Sequence, residues 1–220
     1  MQTRKNPILI DKLNPTFNLE TLKSPVIHKR KVQQKKRELR DCRRAENAAE
    51  SIKGWDKGLE IFGFTKSQFS LIDLITTVIG VTGPAEMFIS TWTAANTDIT
   101  RILNFVSSGV ITQAKWLVDF TFQRRTPELA QRIRDVFGCD AIRVAKNHAK
   151  YVILKNCEYD VIIQTSMNLN YNPRFENFTL SNDTDLVDFL LRITNEIWEK
   201  QKRSLADATP GEFEQYFKTM

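Results

Sequence analysis

From Gly83 onward, short apolar runs alternate with stretches of helical period, and this alternation restricts the fold more than any other feature. It predicts strands at 85–91, 111–118, 140–145, 149–155 and 159–165, with helices at 96–108, 126–137 and about 184–203. Pro127 stands where a helix N-terminus tolerates it, just after Thr126 as a cap. A β-α-β-α-β order calls for parallel strands with helices on both faces of the sheet. The last two strands are close enough to pair as a hairpin across Asn156–Glu158. The expectation is therefore an α/β domain over 84–203, with a mixed sheet flanked by helices and a tail at 204–220.

The N-terminal part has a different character. Residues 1–27 hold Pro7, Pro15 and Pro25 and no sustained period, which suggests an extended or disordered segment. Residues 28–52 contain no Gly or Pro, and Gly54 offers a stop, so a basic helical arm is expected over 28–53. Residues 54–83 read as a helical connector, with an amphipathic helix from Ser67 to about Val78. Trp55, Phe62 and Phe64 in that connector are expected to pack in a core rather than stack on bases.

Charge follows the same division. Residues 1–46 carry thirteen Lys and Arg against five Asp and Glu, whereas residues 47–220 are slightly acidic. Lys29, Arg30, Lys31, Lys35, Lys36, Arg37, Arg40, Arg43 and Arg44 crowd the arm. Such a stretch is a solvated element, one that lies along a phosphate backbone, or a targeting signal. A nucleic-acid partner, DNA in the first instance, is the expectation.

Several classes of function are disfavoured. Cys42, Cys139 and Cys157 form no CxxC pair and no disulfide framework. With two histidines in the chain, no His-based metal site is expected, and no cofactor motif is evident. No apolar run is long enough for a membrane span, and the first residues lack a secretory core, so an intracellular protein is expected.

Three short segments carry chemistry: His148-Ala149-Lys150, Ser166-Met167-Asn168 and Asn172-Pro173-Arg174-Phe175-Glu176-Asn177. Residues two apart on a strand share a face, so His148 projects with Lys150 and Ser166 with Asn168. A hairpin would bring both pairs to one end of the sheet. Neutral imidazole can attack phosphorus. Lys150 and Asn168 can hold non-bridging oxygens, Arg174 can add a phosphate contact, and Glu176 can orient the imidazole. Trp92 and the Arg124-Arg125 pair lie nearby in the expected fold, and packing and solvation are their simpler readings.

This order of segments resembles the phospholipase D superfamily pattern H-x-K, then [GS]-S-x-N, then Glu, over about residues 84–201. STWTAANTDI (90–99), NHAKYVIL (147–154) and SMNLNYNPRFEN (166–177) resemble phospholipase D-like proteins of bacteriophage and prophage genomes. The resemblance implies that His148 is a nucleophile forming a phosphohistidine. It implies that Lys150 and Asn168 bind phosphate, with Ser166 and Glu176 supporting. It further implies a homodimer, because family sites use two H-x-K motifs and this chain has one, and it implies the cytoplasm of a bacterial host. The chain departs from the pattern twice. Lys155 stands where the family has Asp, and Thr165 where Gly precedes the Ser. Two readings result: a metal-independent phosphodiesterase or nuclease, or a non-catalytic nucleic-acid-binding protein with a degenerate site.

Overall fold

A computed structural model of the chain describes residue 27 and residues 35–201. Its elements run β1 (Lys36–Asp41), α1 (Ala48–Ser51), β2 (Leu59–Lys66), α2 (Leu71–Thr82), β3 (Ala85–Thr91), α3 (Asn96–Ser107) and β4 (Ile111–Asp119). There follow α4 (Phe120–Arg125), α5 (Pro127–Phe137), β5 (Ile142–Ala145), β6 (Tyr151–Lys155), β7 (Asp160–Thr165), β8 (Phe175–Asn182) and α6 (Thr184–Lys200). All eight strands join one mixed sheet in the order β1-β2-β8-β7-β6-β3-β4-β5. The α/β class and the expected elements beyond Gly83 are present, and β6 and β7 form the antiparallel hairpin.

The basic arm is not a helix where it is described. Lys36–Asp41 is a strand paired in parallel with β2, followed by a 3-10 turn at Cys42–Arg44 and the short α1. A stretch with so few apolar positions gains little as a helix, because helical stability comes mainly from burying one face. As an edge strand it needs only one neighbour, and its charges discourage further pairing. Lys29, Arg30 and Lys31, the segment 1–26 and the tail 204–220 lie outside the described residues.

The connector over 54–83 is likewise only part helix. Leu59–Lys66 alternates buried Leu59, Ile61, Gly63 and Thr65 with more exposed Glu60, Phe62, Phe64 and Lys66, which is the period of a half-buried strand. Gly63 permits the packing, since a Cβ there would sit 2.3 Å from the Phe178 ring. The sheet therefore begins at Lys36, and a boundary at 84 would cut through it. The helix α2 starts at Leu71 rather than Ser67, because Ser67 takes φ 54° in the turn after β2. The Asp73 carboxylate accepts from the Ser70 backbone N–H at 2.8 Å and from its hydroxyl at 2.7 Å, fixing the first turn of α2.

The two faces of the sheet are covered unequally. One face meets α2, α3 and α5 over a core containing Ile61, Leu74, Ile89, Trp116, Val152, Ile163 and Phe178, all fully or almost fully buried. Among the described residues the other face meets α6, through Phe88, Leu117, Tyr151, Ile153, Ile162 and Val187. Past the end of α6, the buried Gln201 side chain lies along β5. Its Oε1 accepts from Val144 N–H at 2.9 Å, and its Nε2 donates to Val144 C=O at 2.8 Å.

Candidate active site

Strand direction builds the site. Strands β1 to β5 and β7 run one way, while β6 and β8 run the other. The starts of β6 and β8 therefore lie at the same end of the sheet as the finishes of β3, β4 and β7. That rim carries His148 and Lys150 before β6, Ser166 and Asn168 after β7, Glu176 at the start of β8, and Trp92 after β3. The three segments singled out in the sequence do converge there.

His148-Ala149-Lys150 is not on β6 but in the loop leading into it, since pairing begins at Tyr151. The cause is Asn147, which is buried. Its Nδ2 donates to Ser90 Oγ at 3.0 Å and to Leu117 C=O at 3.2 Å, and its Oδ1 accepts from Ala149 N–H at 3.1 Å. Its own N–H donates to Asp119 Oδ2 at 3.1 Å, and Ser90 Oγ donates to Ala149 C=O at 2.9 Å. The loop is thus tied to the ends of β3 and β4 on both sides of His148, and Thr165 N–H donates to Lys150 C=O at 3.1 Å. Buried amides satisfied in this way hold one loop conformation.

His148 itself is exposed. Lys150 Nζ lies 3.3 Å from His148 Nδ1 and donates to the His148 carbonyl at 3.0 Å. Partial burial pulls the Lys150 pKa below the usual lysine value, against the opposing pull of the Glu176 charge. The Trp92 ring stands beside His148, with centroids 5.9 Å apart. The Arg125 guanidinium lies 4.0 Å over that Trp92 ring. Trp92 therefore lines the rim, and Arg125 adds a cation to it. The side chain of Arg124 is outside the described part.

Glu176 has a different role from the one its spacing suggested. It is buried, it accepts from Ser166 Oγ, and its other oxygen accepts from Asn172 Nδ2 at 3.1 Å. Ser166 Oγ in turn accepts from Asn177 N–H at 2.9 Å. The carboxylate thus fastens the chain after β7 to the start of β8, and its charge reaches Lys150. Asn168 Oδ1 is buried without a hydrogen-bond partner among the described residues. Arg174 is exposed in the turn before β8.

Both departures from the family pattern have structural explanations. Lys155 lies at the opposite end of β6, five residues and about 16 Å from Lys150 at strand rise. There it donates to Asp160 Oδ1 at 2.5 Å and reaches Asp188 Oδ1 at 3.5 Å, joining β6 and β7 to α6. Its charge is thus met by two carboxylates at the end of β6 away from the His148 loop. The Thr165 hydroxyl donates to Asn177 C=O at 2.6 Å and accepts from Met167 N–H at 3.0 Å, bending the chain toward Asn168.

Along β1, most cations are engaged by acids. Arg37 meets Glu60 at 2.8 Å, Arg43 meets Asp41 at 2.6 Å, and Arg40 and Lys36 share Glu38. Lys35 donates to the Asn182 carbonyl. Arg44 is exposed. Sequence reasoning missed Asp119, Ser90 and the structural part played by Asn147, and it read Arg125 as solvated. The one local signal was Asn147, next to the histidine.

No family model matches the chain, and no curated protein matches it. Among solved structures it is similar to polyphosphate kinase from Porphyromonas gingivalis, with TM-score 0.47, 15% identity, and 71% of this chain covered. It spans only 28% of that kinase. It is also similar to Nuc from Salmonella typhimurium, a phospholipase D family member, with TM-score 0.45, 14% identity, and 64% of this chain against 93% of that one. NucT from Helicobacter pylori gives TM-score 0.42 and 15% identity, covering 57% of this chain and 87% of that one.

Proposed function

We propose that the chain is a metal-independent phosphodiesterase acting on DNA, with His148 as its nucleophile. The carrying observation is the exposed imidazole of His148, held on a loop locked by Asn147, with the Lys150 ammonium 3.3 Å from Nδ1. In this reading a neutral ring nitrogen of His148 attacks phosphorus, and the bond to the leaving alkoxide breaks. Lys150 and Asn168 bind the non-bridging oxygens as charge builds on them. The leaving oxygen takes a proton from the same histidine of a second copy of the chain, so the working form is a homodimer. Water then attacks the phosphohistidine and gives that proton back. Glu176 keeps Ser166 in place and favours the charged form of Lys150. The basic residues of the N-terminal part, with Arg174, supply salt-sensitive affinity for the backbone. Among the described residues no helix is long and apolar enough to cross a membrane, and the reading assigns the protein to the cytoplasm of a bacterial host of bacteriophage.

The test is cleavage of plasmid and single-stranded DNA in EDTA by the wild type beside His148→Ala. Cleavage abolished in the variant supports the reading. Binding without cleavage in both proteins overturns it in favour of a non-catalytic DNA-binding protein.

A further inference from the structure

One region of the sheet is left uncovered by α6. Alternation and register place Leu39 of β1, Phe62, Phe64 and Lys66 of β2, and Phe175 of β8 on the face that α6 covers over β3 to β7. Leu39 is 77% exposed, Phe175 55% and Phe64 38%. Phe64 and Phe175 stack on each other, with centroids 5.5 Å apart and planes at 19°, and Lys66 Nζ lies 5.3 Å over the Phe175 ring. Phe175 opens β8, directly before Glu176 and two strands from β6, so it stands about 10 Å along the rim from the His148 loop.

We infer that this aromatic face is a docking platform for unpaired bases of single-stranded nucleic acid, continuous with the rim that holds His148. The inference rests on reading that rim as a site for nucleic-acid phosphodiesters. Charge favours this occupant over a second copy of the chain. The acids of this face, Asp41 and Glu60, are each bound by an arginine. Lys66 and Arg174 have no ion pair with an acid among the described residues; Lys66 lies over the Phe175 ring and the exposed Arg174 directly precedes Phe175. Aromatic surface bordered by unneutralised cations suits an alternation of bases and phosphates. Any base presents a π-face to such a surface, so the recognition is indifferent to sequence and selective for bases freed from a duplex. Phe64 is thus part of a stacking surface and not of the core.

The experiment uses the full chain carrying His148→Ala, which holds strands uncut. Its affinity is measured for oligodeoxythymidine and for an abasic deoxyribose-phosphate strand of equal length and charge. The base-bearing strand should bind about five- to hundredfold tighter for each base stacked. Adding Phe64→Ala and Phe175→Ala should remove that preference and leave the abasic affinity unchanged. Phe175→Trp should retain it. Equal affinity for the two strands overturns the proposal. So does a loss in the alanine variants that falls equally on both strands, or a fall in solution mass with the base preference intact, which would assign the face to a second copy. Hydrolysis of bis(4-nitrophenyl) phosphate in EDTA by the wild type tests the phosphodiesterase reading separately, since that diester does not need the platform. Failure of that hydrolysis with base preference retained leaves the platform standing and removes the enzyme.

Discussion

The two ends of β6 carry the same residue type in opposite circumstances. Lys155, at the far end, is held by two carboxylates, and its pKa is raised, first by the Asp160 hydrogen bond. Lys150, just before the strand, is bonded to a histidine carbonyl and ring, and its pKa is lowered by burial. One cation is already neutralised and serves as a structural tie. The other is partly desolvated, with its charge not matched by a close acid. A poorly compensated charge beside an exposed imidazole suits the binding of a phosphate diester. Sequence position alone cannot separate the two lysines, but their neighbours do.

The comparison is sharpest where the expected effects are largest. His148→Ala should cost on the order of 10⁴-fold or more in DNA cleavage, with the folded state unchanged by circular dichroism. Lys150→Ala should lower the same rate by about 10²- to 10³-fold at little cost in stability. If Lys150→Ala and Lys155→Ala impaired cleavage equally, the distinction between the two ends would fail.

Asn147→Ala should destabilise the protein by about 1–3 kcal/mol, because its partners Ser90, Leu117 and Ala149 lose buried bonds. Thermal or denaturant unfolding reads this directly, and cleavage should fall as the His148 loop loosens. A pH titration probes Lys150 alone. Its pKa is lowered, so the ammonium is present below that value and lost as pH rises through it. Phosphate affinity of the His148→Ala protein should therefore decline on the alkaline side before pH 10.5, where an ordinary lysine would still be half charged. Lys150→Arg, whose guanidinium does not titrate in that range, should remove this alkaline limb. The smallest effect belongs to Lys155→Ala. A partly exposed ion pair gives below about 1 kcal/mol of stability, and cleavage should be unaffected.

The legible part of the fold was the part in which hydrophobic period and element agree. Ala85–Thr91, Asn96–Ser107 and Ile111–Asp119 match their expected bounds within a residue, because each buries a run of Ile, Val, Phe or Trp. The basic stretch misled because KRELRD has no apolar alternation, and edge pairing is a property of its neighbour β2, not of its own residues. Strand β8 was hidden for a related reason. Its sequence FENFTLSN interleaves polar residues on the face that α6 does not reach, and it was read only as a motif. The candidate site was legible in its three segments, since chain order and the hairpin suffice to bring them to one rim. Its supports were not, because Asn147 acts through Ser90 and Leu117, 57 and 30 residues away.

Gln201 gives the far edge of the sheet a consequence of its own. Its amide bonds both backbone groups of Val144, imitating one residue of a neighbouring strand. An edge finished in this way cannot recruit a strand from another molecule at that position. Gln201→Leu would keep all eight strands and the rim, yet leave a hydrogen-bonding template open at β5. Such a protein should be soluble when dilute and should form intermolecular sheet as its concentration rises.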